Sequence, residues 1–161
     1  MSIISSKFII GKLPTVTGDC AGDLVVNDYF IDVTAAQIEA NNIFELGILP
    51  AGHTVVDAIL VTDDLDTNAS PALTLDVGLM SGTIGDTADT NRTCGKEVFD
   101  AATGGQSGAA VRASAATAFK IKAAEYNRSI GVKVVTDAAT AAAGRVRVRV
   151  VMAPADHNVQ F

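Results

Sequence analysis

The densest run of oxygen ligands in this 161-residue chain is Asp63-Asp64-Leu65-Asp66-Thr67-Asn68. Asp64, Asp66 and Asn68 stand at alternate positions, the spacing with which a calcium loop opens and brings its oxygens onto one cation. The rest of that loop is missing. Ala69 occupies the place where the sharp turn demands glycine, and Leu75 the place of the bidentate glutamate. Two readings remain: a looser loop-bound cation, or a solvated acidic turn whose Asp and Asn side chains cap local amides. Asp86, Asp89 and Asn91 pose the same choice.

Other chemistries lack their parts. The two histidines, His53 and His157, are isolated from each other and from any metal-binding spacing, so a cupin-like metal cluster has no ligand set. Cys20 and Cys94 belong to no C-x-x-C pair, and two free thiols is the simplest account of them. No nucleophile elbow, phosphate-binding loop or dinucleotide fingerprint occurs. The expectation is a protein without catalytic residues, cofactor or metal. Asn68, Asn91 and Asn127 open glycosylation-type triplets, most simply by chance.

Arg145, Arg147 and Arg149 alternate with Val146, Val148 and Val150. On a strand this sets three guanidinium groups on one face, about 7 Å between successive positions. Such a row either grips carboxylates of a partner chain or faces water. Asp57 interrupts the apolar run Val55–Leu60. If buried it needs a cation, for which Arg128 is a candidate; otherwise it lies on an exposed face or at a bulge.

The elements that carry these residues read as strands. Leu73, Leu75, Val77 and Leu79 alternate with more polar or smaller residues, and so do Phe119, Ile121 and Ala123, then Ile130, Val132 and Val134. Longer apolar runs at 24–33, 43–49 and 55–61 read as strands covered on both faces. Residues 81–95 and 103–108 read as exposed loops, and 137–144 as a hairpin turn. The one helical piece is 35–40, with Thr34 and Gln37 at capping-box spacing. Eight to ten strands without strand–helix alternation predict an all-β antiparallel sandwich, jelly-roll-like. Its organisation is an N-terminal arm (1–20), one sandwich domain (21–152) and a C-terminal tail (153–161).

Composition narrows the partners. The net charge of −6 disfavours nucleic acid. No run approaches the ~20 apolar residues of a membrane span, and no signal-peptide pattern is seen, so a soluble product of the cytoplasm is expected. Residues 1–110 hold four basic and fifteen acidic residues, whereas 111–150 hold eight basic and two acidic. Neighbouring copies could attract through that asymmetry, or the charges simply solvate strand faces.

Several strings, taken in order, resemble a known family. They are Asn27-Asp28-Tyr29-Phe30-Ile31-Asp32-Val33-Thr34, Glu45-Leu46-Gly47-Ile48-Leu49-Pro50-Ala51-Gly52-His53, Val55-Val56-Asp57, Asp63-Asp64-Leu65-Asp66, Leu73-Thr74-Leu75-Asp76-Val77-Gly78 and Arg128-Ser129-Ile130-Gly131-Val132. The chain resembles decoration, or cement, proteins of tailed-bacteriophage heads. The resemblance implies a jelly roll that forms a homotrimer, binds the major capsid protein on the outer surface of the virion and strengthens the head, after assembly in the host cytoplasm. It also implies an N-terminal arm that reaches neighbours; no family motif fixes its contact residues, and the apolar side chains of residues 1–20 here assigned as anchors are Phe8, Ile9 and Ile10. A tail or head-fibre component is the alternative. A carbohydrate-binding adhesin fits less well, because the chain has no Trp and only Tyr29 and Tyr126 as tyrosines.

Overall fold

The computed structural model describes residues 1–13, 15 and 23–155. Cys20, His157, the last part of the expected arm and the tail from Asp156 lie outside the described residues.

Among the described residues nine strands form two sheets: β1 (Ile3–Ser5), β2 (Val25–Val33), β3 (Ile43–Leu49), β4 (His53–Thr62), β5 (Thr74–Leu79), β6 (Phe99–Ala102), β7 (Ala110–Arg112), β8 (Arg128–Thr136) and β9 (Gly144–Pro154). One sheet has the order β1-β3-β8-β5-β6 and the other β2-β9-β4-β7. Every connection except β5–β6 therefore crosses between sheets. From β2 onward this is the order of two interlocked Greek keys, an eight-stranded jelly roll. All pairings are antiparallel except β1 with β3.

The core forms because alternate residues of both sheets turn inward. Val146, Val148, Val150 and Met152 of β9 meet Phe44 and Leu46 of β3 and Ile130, Val132 and Val134 of β8 in one cluster with Leu60, Leu75 and Val77. Tyr29 is fully buried in it and donates its hydroxyl to the Ile48 carbonyl at 2.7 Å. The ring lies where a side chain at position 47 would stand. A Cβ on Gly47 would come within 2.3 Å of it, so only glycine fits beside the bulge between Glu45 and Gly47.

Three expectations are corrected here. Residues 119–124 are not a strand; Ala118–Lys120 form a 3-10 turn. Ala118 and Ile121, three apart, face the core while Phe119 is exposed, so a period of three rather than two decides the element. The 137–144 segment is not a hairpin. β8 and β9 lie in different sheets, and the segment arches across the sandwich. Of the three long apolar runs, only β3 is covered on both faces. β2 and β4 alternate, with Val26 and Val56 exposed. The short strands β1, β6 and β7 carried no period-two signal of their own. The helical piece is a 3-10 turn at Ala35–Gln37, where Gln37 Oε1 accepts the Thr34 amide at 2.8 Å.

Candidate functional site

The arginine row lies on the outer face of β9, opposite the buried valines. Its neighbour β2 sets Asp32 across from Arg145, Phe30 across from Arg147 and Asp28 across from Arg149. Cross-strand residues share a face, so the two period-two patterns bring opposite charges together. Arg145 grips Asp32 with both arms of its fork, at 2.7 and 3.0 Å. Arg147 and Arg149 both donate to Asp28 Oδ2 at 3.2 Å. The Arg145 guanidinium also stacks 4.5 Å above the Phe30 ring. Hydrogen bonding to Arg145 holds the Asp32 carboxyl below its usual range, and Asp32 in turn raises Arg145. The carboxylates that meet this row thus come from the chain itself, two of them for three arginines.

Asp57 sits at a bulge of β4, where the register with β9 shifts between Val55 and Asp57. Its cation is Arg112 of β7, at 2.8 Å, and not Arg128. Arg128 donates Nη2 to the Lys122 carbonyl at 2.8 Å, and its Nε is buried without a partner.

Asp66 is not a cation ligand. It is buried, and its two oxygens accept four backbone amides: Ala72, Leu73 and Ala139 on Oδ2 at 2.7, 3.1 and 2.9 Å, and Thr140 on Oδ1 at 2.8 Å. Burial pushes its pKa upward, but these amides outweigh burial and hold the carboxyl far below its usual range. Asp64 Oδ1 accepts the Asp66 amide and Asn68 Oδ1 the Ser70 amide, which is local turn capping. The acidic run therefore ties the β4–β5 connection to the β8–β9 arch. Asp86 and Asp89 cap their own loop in the same way. Among the described residues no three His, Cys, Asp or Glu side chains gather as a metal site.

The strongest polar cluster went unread in the sequence. Glu45 of β3 and Arg92 of the 81–95 loop form an ion pair at 2.6 Å with both side chains fully covered. All five donors of Arg92 are used. Nε bonds the Ser81 carbonyl at 2.9 Å; Nη1 bonds Glu45 at 3.1 Å and the Asp86 carbonyl at 2.9 Å; Nη2 bonds Glu45 and, at 3.1 Å, Ser129 Oγ. The Gly85 amide and the Ser5 hydroxyl add to Glu45. Burial alone would raise the Glu45 pKa, yet Arg92, Ser129 and Gly85 together bring it below the ordinary value. The loop read as exposed is thus pinned through Gly85 and Arg92 to β3 and β8. A signal was present: Glu45 is a lone charge inside the apolar run 43–49, and such a charge needs a partner when buried.

The remaining candidates are placed as follows. Phe8 packs edge-on against Tyr29 and Phe30 of its own chain, with ring centroids 5.0 and 5.6 Å apart; Ile9 is half-buried and Ile10 exposed. Ser6 Oγ donates to the Leu46 carbonyl and fixes this turn. His53 is buried at the start of β4, with Nδ1 2.9 Å from the Ala51 carbonyl. Cys94 is half-buried, and burial pushes its thiol up to about 12.

Comparison with known proteins gives the same architecture a context. No protein-family model matches the chain, and no curated protein matches it. Among solved structures, a chain in the capsid of Ralstonia phage GP4 is 44% identical, with a TM-score of 0.91, over 96% of this chain and 99% of that one. A chain in the capsid asymmetric unit of cyanophage Pam1 is 28% identical, with a TM-score of 0.67, over 88% of this chain and 91% of that one. Identity at this level across nearly the whole length, on one jelly roll, places the chain among structural proteins of phage capsids: it belongs to the family of the Ralstonia phage GP4 capsid chain.

Proposed function

We propose that this protein is a capsid decoration, or cement, protein, which binds the outer surface of a tailed-phage head as a homotrimer and stabilises the shell through the major capsid protein. The observation that carries this reading is the completeness of the fold. A shell-forming subunit buries broad apolar interfaces on several sides. Here one sheet is closed over by the loop that Arg92 pins, and the other presents a charge-paired outer face. Large apolar side chains that stay exposed number eight among the described residues, too few to form broad apolar interfaces on several sides. Such a protein adds to a shell that already stands, and repetition over many sites turns modest contacts into firm retention. A trimer on a three-fold position repeats each contact three times.

In this reading the sandwich (21–152) is the body, and the N-terminal arm (1–20) and the tail (153–161) flank it. Ile9 and Ile10, supported by Phe8, form one contact element. The face of Arg145, Arg147 and Arg149, with its surplus guanidinium, forms another. Heads prepared without the protein provide the test. Adding purified protein should give co-sedimentation, a trimer mass by light scattering before addition, and heads that release DNA at a higher temperature. Absence of binding, or binding without any gain in head stability, would contradict the proposal.

A further inference from the structure

The strand registers divide the sandwich into two chemically different ends. At one end β3 finishes and β8 begins, with Leu49 opposite Arg128, while β4 begins and β9 finishes, with His53 opposite Pro154. β2 begins there too, with Val25 opposite Met152. The other end carries the exposed carboxylates Glu39, Asp63, Asp64 and Asp137, and its Arg145 is already held by Asp32.

The first end is largely apolar, and its three basic residues, Lys120, Lys122 and Arg128, slightly outnumber the exposed carboxylates Asp23 and Glu125. Leu24, Val26, Val56, Phe119 and Tyr126 are 42–67% exposed, and they are five of the eight large apolar side chains left exposed among the described residues. Phe119 joins them because its turn packs along β4, where Thr54 donates to the Ile121 carbonyl at 2.6 Å. Lys120 and Lys122 stand exposed beside them. Arg128 starts β8 at this end. Among the described residues it is the one arginine of the six without a carboxylate partner; the other five are paired. Among the described residues the half-buried guanidinium has only the Lys122 carbonyl as hydrogen-bond partner, so it is short of an anion, and a carboxylate meets the uncovered part of such a fork in good geometry. Burial depresses its pKa, the direction expected of a cation short of a counter-charge.

We propose that this end seats the protein on the capsid shell, with a carboxylate of a shell subunit closing on Arg128 and apolar residues of that subunit covering Leu24, Val26, Val56, Phe119 and Tyr126. The acidic end then points outward. This inference rests on the decoration reading and gives it an orientation. The partner is a shell subunit because the related chains are found in capsids, and its contact surface must then offer a carboxylate to Arg128. A second copy offering its own acidic end would make a head-to-tail contact, which closes into a ring or grows into a filament and leaves no end free to hold the shell.

The test uses full-length protein and heads lacking it, with affinity read by sedimentation and oligomeric state by light scattering. Arg128→Gln and Val26→Glu should each weaken attachment at least tenfold, whereas Asp64→Lys at the opposite end should bind as wild type does. Val26 is exposed, so its substitution spares the core, and circular dichroism with a thermal melt confirms the fold of each variant. Full binding by Arg128→Gln and Val26→Glu, with wild type bound, overturns the seating end and leaves the decoration reading intact. Failure of the wild type to bind removes both. Loss of self-association instead of head binding names a second copy as the occupant and also overturns the proposal.

Discussion

Replacing Arg92 by methionine leaves the Glu45 carboxylate covered by protein with only the Gly85 amide and the Ser5 and Ser129 hydroxyls to bond it, and strips the Ser81 and Asp86 carbonyls of their donor. Both charges are fully covered, so the cost is that of an uncompensated buried ion, about 3–5 kcal/mol. For a chain of this length that corresponds to a fall in melting temperature of roughly 6–20 °C. Glu45→Gln strands the guanidinium and should cost a similar amount. The double variant Glu45→Gln/Arg92→Met removes both charges, so it should lose less than the two single losses added, by up to about 3 kcal/mol. The pH dependence has a definite sign. The folded pKa of Glu45 lies below the ordinary 4.5, so its stabilisation is present above about pH 4.5 and is lost as pH falls through the folded value. Glu45→Gln should therefore flatten the acid limb of the stability profile. Urea unfolding followed by circular dichroism measures all four proteins, and proteolysis within 83–91 reports release of the loop. Single losses under about 1 kcal/mol, or additive losses, would refute the reasoning that the pair is one buried unit.

Three further outcomes follow from the packing. Asp66→Asn should speed amide exchange at Leu73, Ala139 and Thr140, while calcium leaves the wild-type melting temperature unchanged; unaltered exchange, or stabilisation by calcium, would count against the amide-anchor role. Gly47→Ala should cost about 1–3 kcal/mol or more through overlap with the Tyr29 ring, and Gly131→Ala less, because it meets the flexible Met80 side chain; equal losses in denaturant titrations would show that the ring is free to move aside. In a Cys20→Ser background, Cys94 with its thiol pushed up to about 12 should react slowly with a thiol reagent at pH 8 when folded and quickly when unfolded; fast reaction of the folded form would contradict its shielding.

What the chain reveals by itself is the periodicity of its long strands. Val146, Val148 and Val150 point inward as their alternation with arginine requires, and Thr34 with Gln37 marks the one tight turn after β2. Alternation says which side of a strand is buried, but it carries no information on which sheet the next strand joins. That is why the arch between β8 and β9 read as a hairpin. It also cannot reveal pairings at long range. Asp28 and Asp32 share a face of β2 by simple spacing, yet their partners lie 113–121 residues away on β9. Glu45 and Arg92 are 47 apart, the first hidden in an apolar run and the second in a stretch of Ser, Gly, Thr and Asp that reads as open loop. The acidic run 63–68 was visible as chemistry, but its real partners are backbone amides, which no side-chain pattern records.

The central claim, attachment to the outside of the head, is tested most directly by electron cryo-microscopy of heads assembled with and without this protein. The account predicts a difference map showing jelly-roll density on the outer surface, in three-fold clusters, with the Arg128 end toward the shell and the same shell lattice beneath in both samples. Density inside the shell, a lattice that fails to form without the protein, or difference density confined to the tail would contradict it.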